Sequence, residues 1–344
     1  MTSPTAVPAP PGSIDEGVPW HFGDPHGEQR ALLAGRGAVD LSHREVVEIA
    51  GPDRLSWLHS LTTAHLLDLR PGDSRLVLIL SPHGHVEHEL HLVETGGTIL
   101  VSVDPGAGEP LRAHLESMRF LTRVEVRPRP DLAVVWEPLA EPDPAGLPTW
   151  VVPGDFRSGP ATPAGADRGG GAGRYAPARP ADLVGREVLV PAEELPDRLA
   201  AAGPPAGTWA LEALRVAAAV PRIGQDTDHR TLPHEVGWIG AGVHLAKGCY
   251  RGQEAVARVH NLGRPPRRLA LAHLDGSAGI LPAHGDEVRV DGRAVGWVGT
   301  PARHHELGPI ATVMLKRSVD PTAELVVAAA DGDVVASQEV VVIP

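Results

Sequence analysis

Residues 74–94, SRLVLILSPHGHVEHELHLVE, have the pattern of a β-hairpin. An apolar run from Leu76 to Leu80 predicts a buried strand, because every side chain in it is apolar. Ser81 to Gly84 supply the turn, and the residues after the turn alternate between polar and apolar as in a strand with two different faces. Strand-like segments lie on both sides of this hairpin, EVVEIA before it and GTILVSVD after it.

Helical segments are interspersed with these strands. A helix begins near Pro52 and Asp53 with leucines at a helical interval, and residues 108–121 predict another. After GREVLVP, a predicted strand, come the helix-like segments AEELPDRLAAA and TWALEALRVAAAV. From Arg268 onward, short β-type runs between Gly, Pro and Asp turns predict a small β-barrel or sandwich. Since strands and helices intermingle without a regular βαβ repeat, we predict an α+β fold.

The length of 344 residues indicates two or three domains. We expect five segments along the chain. They are a disordered tail (1–13), an N-terminal α+β region (14–140), a Pro/Gly-rich loop or linker (141–180), a second α+β region (181–265) and a C-terminal β-barrel (266–344).

Composition narrows the class of partner. The formal net charge of -12 disfavours binding to nucleic acid, and no apolar run reaches the roughly 18 residues that would span a membrane. The N-terminal stretch MTSPTAVPAPPGS lacks the basic residue and apolar core of a secretory signal, and the single cysteine excludes an internal disulfide. We therefore expect a cytoplasmic protein whose partner is a small molecule or another protein.

The single cysteine, Cys249, lies in KGCYRGQE, residues 247–254. Lys247 and Arg251 flank it, and a glycine-flanked loop turns into a predicted helix there, so cations and a helix start both favour the thiolate. The alternative is a buried cysteine that packs as a small hydrophobe.

Histidines cluster on the second strand of the hairpin. Strand alternation gives one face His83, His85, Glu87, Glu89 and His91. His88 shares the other face with Val86 and Leu90, so it is either a satisfied core histidine or a pocket residue. Without a cysteine pair or HExxH spacing, we predict a solvated face for the first set and no metal site.

Two longer stretches carry a family resemblance. Residues 214–238, LRVAAAVPRIGQDTDHRTLPHEVGW, and residues 247–269, KGCYRGQEAVARVHNLGRPPRRL, resemble the folate-binding YgfZ family, relatives of the glycine-cleavage T-protein. The fixed positions of the family octapeptide are Lys247, Gly248, Cys249, Tyr250, Gly252, Gln253 and Glu254. GAVDLSH, IAGPDRLSWLHSLTTAHLLDLRPGD and LILSPHGHVEHELHLV follow the family order, and the resemblance extends from about His21 to the C-terminus.

The resemblance implies a three-domain cloverleaf around a central cavity that binds tetrahydrofolate, with residues 14–140 contributing to folate binding. It further implies a role in iron–sulfur cluster assembly or repair through Cys249, assisted by Lys247, with Tyr250 and Gln253 near the folate. Iron–sulfur enzymes or assembly proteins would then be the partners. A non-catalytic folate-sensing adaptor is a further alternative.

The T-protein suggests another reaction, transfer of an aminomethyl group to and from tetrahydrofolate. The T-protein uses an aspartate in a turn and strand where this chain has His88 and Glu89. A histidine cannot offer the same carboxylate hydrogen bond, so transfer would require His88 or Glu89, both expected at the folate-binding site, as the base.

The resemblance also implies folate ligands. Glu187 corresponds to a T-protein glutamate, and a carboxylate can accept the adjacent amino and ring N–H donors of a pterin. Arg215 matches a family arginine and would suit the anionic tail. The alternative to a folate-binding role is that Glu187 is an exposed residue of a strand. For Arg215, the alternative is a cation on the surface of a helix.

Overall fold

The structure is a computed structural model that describes residues 5–156 and 179–342. Its α+β fold agrees with the prediction from sequence. The chain divides into two compact units. The first unit comprises Met1–Ile79, His88–Pro153 and Val184–Leu211, and the second comprises Leu80–Glu87, Gly154–Leu183 and Glu212–Pro344.

The described residues form helices and strands in the following order. The strands are β1 (Val7–Pro8), β2 (Pro19–His21), β3 (Ala38–Asp40), β4 (Glu45–Ala50), β5 (Ser74–Leu80), β6 (Val86–Glu94), β7 (Thr98–Val103), β8 (Glu125–Pro128), β9 (Leu132–Glu137), β10 (Thr149–Val151), β11 (Arg186–Pro191), β12 (Pro205–Ala206), β13 (Arg267–Leu274), β14 (Glu287–Val290), β15 (Arg293–His304), β16 (Gly308–Lys316), β17 (Leu325–Ala329) and β18 (Gly332–Val340). The helices are α1 (Pro25–Leu33), α2 (Arg54–Leu61), α3 (Gly108–Ser117), α4 (Leu195–Ala201), α5 (Thr208–Ala217) and α6 (Gln253–Leu262).

A five-stranded sheet in the order β5-β6-β7-β4-β8 carries the predicted hairpin, whose strands are β5 and β6. One face of this sheet packs against α2 and α3. Leu58 of α2 and Leu111 of α3 belong to a fully buried cluster with Leu90 and Leu92 of β6. Since alternate residues of a strand share a face, His88 lies on this helix-covered side of β6, and Glu89 and His91 lie on the opposite side.

A second five-stranded sheet, β10-β11-β9-β3-β12, also belongs to the first unit. Val188 and Val190 of β11 belong to a buried cluster against which Leu195 and Leu199 of the α4 segment pack. Glu187 lies between Arg186 and Val188, so it is on the face of β11 away from α4.

Two predicted irregular segments contain strands. The predicted tail contains β1, which pairs with β2 in the segment that follows the tail; residues 1–4 lie outside the described residues. Within the predicted linker, β10 pairs with β11 along three consecutive residue pairs, while residues 157–178 are outside the described range. Proline and glycine content indicated loops here, but a neighbouring strand supplies the hydrogen-bond partners that stabilise a short strand.

The second unit ends in a closed six-stranded barrel, β13-β16-β15-β14-β17-β18, which confirms the predicted C-terminal β structure as a barrel. Its core contains Ala270, Val298, Val313, Leu325 and Val334, all with less than 4% of their surface exposed. Among the described helices, none combines the length and the apolar character needed to cross a membrane.

Candidate functional site

Glu187 is buried between two tryptophan-bearing strands. It is opposite Trp136 of β9 and Trp150 of β10 in the sheet register, and only 3% of its surface is exposed. The alternative that Glu187 is an exposed strand residue is therefore wrong. β11 is an interior strand of the sheet, and the side chain of Glu187 is buried.

Charged partners surround the Glu187 carboxylate within the first unit. His91 Nδ1 is 2.9 Å from Oε1, and Arg44 Nε is 3.7 Å from the same oxygen. Arg44 is itself held by Asp104 at 2.7 Å and by the Ser102 hydroxyl at 2.8 Å. Burial would raise the pKa of Glu187, but Arg44 and His91 more than compensate and lower it to about 2.

The second carboxylate oxygen of Glu187 differs from the first. Oε2 is buried and has no hydrogen-bond partner among the described residues. A buried carboxylate oxygen ordinarily has a donor, because leaving it without one costs about 1–3 kcal/mol or more. One acceptor of this ionised carboxylate is therefore without a protein donor among the described residues.

His91 lies directly against this carboxylate. Its ring stacks on Trp150 with centroids 3.7 Å apart and planes inclined by 2°, and its Nε2 is 3.8 Å from Glu89. Burial would lower the pKa of His91, but Glu187 outweighs that effect and raises it. The prediction that this face of β6 is in contact with solvent is wrong at Glu89 and His91, whose side chains are 10% and 12% exposed. Residues of the second sheet cover this part of β6.

His88 lies on the other side of β6 and does not contact Glu187. Its ring centroid is 5.4 Å from that of His114 of α3. Burial, together with the nearby His114, lowers the pKa of His88 to about 4, so the imidazole is neutral at pH 7. Since His88 and Glu89 point to opposite faces of one strand, the structure does not bring these two candidate bases together.

In the second unit, the KGCYRGQE loop buries its lysine and exposes its cysteine. Lys247 is 5% exposed, and its ammonium lies 5.1 Å from the ring centroid of Tyr250. Burial lowers the pKa of Lys247 to about 8 and raises that of Tyr250 to about 12. Cys249 is exposed, so the alternative of a buried packing cysteine is wrong.

The remaining motif residues hold the loop in shape. Gln253 begins α6, and its side-chain amide donates to the Lys247 carbonyl at 3.3 Å. Arg251 Nη1 lies 3.6 Å from Glu87, which ties the loop to the start of β6. Lys247, Tyr250 and Gln253 therefore form one contiguous loop and first helical turn.

The motif also packs against the turn of the hairpin. Gly252 has a φ of +81°, and a Cβ there would lie 2.6 Å from the Ser81 carbonyl oxygen. Gly84, in that turn, has a φ of +80°, and a Cβ there would lie 2.8 Å from Ala255 of α6. Glycine at both positions allows the two backbones to approach closely, in a conformation that side chains disfavour.

Arg215 is a buried structural cation. Nε and Nη2 bind the two oxygens of Glu212 at 2.9 and 2.8 Å. Nη1 donates to Asp226 and to the Val220 carbonyl, both at 2.6 Å, and Nη2 also donates to Thr300 at 2.7 Å. The alternative of a surface cation is wrong, since 6% of Arg215 is exposed.

These contacts engage all five guanidinium N–H donors of Arg215. A direct contact with a folate tail would replace one of them, so the predicted ligand role of Arg215 stays a prediction that the local geometry does not favour. The described residues contain no group of three or more His, Cys, Asp or Glu side chains placed to hold a metal ion.

The fold is that of a glycine-cleavage aminomethyltransferase. The chain superposes on the crystal structure of the glycine cleavage system aminomethyltransferase T from Bartonella henselae with a TM-score of 0.72 and 17% identity, covering 99% of this chain and 94% of that one. No family model matches the chain.

Sequence comparison finds named relatives of the same kind. The chain is 27% identical over 263 residues to an aminomethyltransferase of Chromobacterium violaceum, covering 74% of this chain and 71% of the relative. It is 28% identical over 313 residues to an aminomethyltransferase of a Nostoc species, covering 86% and 80%. A putative chloroplastic transferase of Arabidopsis thaliana is 26% identical over 276 residues, covering 75% and 60%. Together these similarities support a relationship to the aminomethyltransferase (T-protein) family.

Proposed function

We propose that the protein binds tetrahydrofolate through Glu187 and acts as a folate-dependent one-carbon transferase of the aminomethyltransferase type. The observation that carries this proposal is the ionised, buried Glu187 carboxylate with one oxygen lacking a donor. The similarity to named aminomethyltransferases over about three quarters or more of the chain supports the same reaction class.

The chemistry of the pterin ring suits this carboxylate. A pterin presents an amino group and a ring N–H side by side, and both are donors that a carboxylate can accept. Glu187 Oε2 can take one donor, and the second lone pair of Oε1, beside the bond from His91, can take the other. Because the pKa of about 2 keeps Glu187 ionised at neutral pH, the two bonds would be charge-assisted.

Tetrahydrofolate, when bound, would supply the nitrogen that accepts the one-carbon unit. The chain would orient the ring and receive a proton from it. Of the two predicted bases, Glu89 lies on the same side of β6 as His91 and Glu187, whereas His88 lies on the opposite side and would not reach a ring held at Glu187.

Calorimetric titration with tetrahydrofolate tests the binding step. Glu187→Gln keeps the size of the side chain and removes the charge, so we expect its dissociation constant to rise by about tenfold or more. Glu306→Gln, in an exposed position of the barrel, is the matched control and should bind like the wild type. Absence of wild-type binding would refute the proposal.

A second assay separates transfer from binding alone. The transferase should form a one-carbon adduct of tetrahydrofolate from an aminomethyl or methylamine donor. Glu89→Gln should slow the reaction, whereas His88→Ala, on the opposite face of β6, should change it less. Folate binding without turnover of any such donor would instead favour the non-catalytic folate-sensing adaptor.

A second candidate function is iron–sulfur cluster assembly or repair of the YgfZ type. The exposed thiol of Cys249, in a complete KGCYRGQE motif whose lysine is buried, is the observation in its favour. We expect Cys249→Ser to keep its folate affinity and to fail in restoring iron–sulfur enzyme activity to a deletion strain. Full restoration by this variant would remove the thiol from the mechanism.

A further inference from the structure

We propose that His91 is the positioning residue for Glu187, holding its Oε1 as an acceptor and leaving Oε2 for the folate ring. The inference deepens the proposed function and rests on it. The face of the His91 ring stacks on Trp150, with ring centroids 3.7 Å apart and ring planes inclined by 2°. The edge of the ring is held by the 2.9 Å contact between His91 Nδ1 and Glu187 Oε1.

The contact requires a donor at Nδ1, because Glu187 is ionised and can only accept. Arg44 Nη2 lies 3.4 Å from the same nitrogen and is itself a donor, so it cannot form a good bond to an N–H. Arg44 instead directs Nε and Nη1 to Ser102 and Asp104. Arg44 therefore balances charge around the carboxylate. His91 provides a 2.9 Å hydrogen bond to it, and a hydrogen bond from Ser102 also contributes to the lowered pKa of Glu187.

The charges that face His91 come from every element around it. β11 contributes Glu187 at 2.9 Å, β6 contributes Glu89 at 3.8 Å, and Arg44, next to β4, lies 3.4 Å from His91 Nδ1. Asp104, next to β7, pairs with Arg44 at 2.7 Å. A protonated His91 therefore places a positive charge between the Glu187 and Glu89 carboxylates, and loss of its proton removes that charge from beside the buried Glu187.

The orientation of Glu187 should consequently depend on pH. Since Glu187 raises the pKa of His91, the protonated ring persists above its ordinary range and is lost as pH rises through the raised value. Neutral His91 can still donate one hydrogen bond to Glu187, but it no longer places a positive charge beside Glu187 and Glu89. We expect folate affinity to be highest where His91 is charged and to fall at more alkaline pH.

The test measures the dissociation constant of 5-formyltetrahydrofolate, a stable reduced folate, between pH 6 and pH 9. We expect His91→Gln to raise this constant about tenfold at pH 7 and to flatten its pH dependence. His273→Gln, in barrel strand β13, is the control variant. It removes a histidine away from Glu187, so any pH dependence that it keeps includes titration of the ligand itself. The turnover number at saturating folate should change less than the dissociation constant.

The outcomes separate the two proposals. If Glu187→Gln weakens binding and His91→Gln keeps both the affinity and the pH profile of the wild type, the positioning role is overturned alone. If the wild type does not bind, or if neither variant changes binding, the Glu187 site and the positioning role both fail. If His91→Gln does not fold, two further measurements test the contact between His91 and Glu187. The first is folate binding by His91→Asn. The second is an NMR titration of His91 in Glu187→Gln, where loss of the carboxylate should lower the His91 pKa.

Discussion

Replacing Gly252 with alanine should destabilise the KGCYRGQE loop and helix α6. Gly252 precedes α6 in a left-handed conformation, with φ at +81°. A Cβ at this position would lie 2.6 Å from the Ser81 carbonyl oxygen and 3.1 Å from Leu80 Cβ. The first of these is a backbone atom in the hairpin turn, so relief of the contact requires movement of one of the two segments.

The magnitude has two parts. A side chain in the left-handed region costs about 1–2 kcal/mol. Forcing additional atoms into a packed contact typically costs a further 1–3 kcal/mol or so. We therefore expect Gly252→Ala to lower the free energy of unfolding by about 2–5 kcal/mol, with most of the effect in α6 and the hairpin turn.

Gly248→Ala, in the same octapeptide, is the matched control. Gly248 is exposed, and a Cβ there would meet no heavy atom within 4 Å. Alanine at a compatible position changes stability by less than about 1 kcal/mol and often increases it, because the unfolded chain loses freedom. Both variants replace a glycine of the same motif with alanine. The two positions differ in that only Gly252 has a left-handed backbone conformation and close neighbouring atoms.

Denaturant unfolding and hydrogen exchange of the α6 amides measure the difference. Exchange is needed as well, because a chain with two compact units need not unfold in a single transition. We expect faster exchange in α6 for Gly252→Ala and wild-type exchange for Gly248→Ala. Equal effects of the two substitutions would refute the assigned conformation and packing of Gly252.

Three further predictions concern buried residues. Arg215→Lys keeps the charge but cannot reproduce the two-pronged bond to Glu212, so denaturant unfolding should show a loss of about 2–4 kcal/mol; a loss below about 0.5 kcal/mol would contradict the buried network. Because the folded-state pKa of Glu187 is lowered from 4.5 to about 2, its contribution, on the order of 3 kcal/mol, is present above pH 4.5 and lost as pH falls towards 2. Glu187→Gln should therefore show a shallower decline in stability over that range, and an unchanged decline would argue against the ionised carboxylate. Gly185→Ala would place a Cβ 2.3 Å from the Trp136 ring, so we expect a lowered melting temperature and altered tryptophan fluorescence; a wild-type melting curve would contradict this contact.

The hairpin and the barrel could be predicted because their signals are local. Residues 74–94 carry a complete apolar strand, a turn and an alternating strand, and β5 and β6 follow that pattern. In the C-terminal part, short alternating runs between turns gave the same kind of signal, and six strands close into a barrel there. By contrast, the strand β10 lies in a segment whose composition indicates a loop, and its pairing with β11 is a long-range contact.

The environment of the candidate site residues could not be predicted in the same way. Alternation assigned His91 correctly to the face of β6 opposite His88, but a polar face has two possible fates, contact with water or contact with another polar layer. Glu187, 96 residues away in sequence, decides between them. The buried state of Arg215 likewise depends on partners in other elements, Asp226 and Thr300.

The amino-acid sequence by itself determined the α+β class, the C-terminal β structure and the octapeptide around Cys249, because these depend on neighbours along the chain. Tertiary structure decided which polar groups are buried and what they contact. The carboxylate of Glu187 is ionised because two sheets bring Arg44 and His91 against it, and Lys247 is poised near pKa 8 because the fold buries its ammonium while exposing the thiol two residues away. Burial and charge balance arise from contacts between distant segments, so they follow from the packed structure and not from any single stretch of sequence.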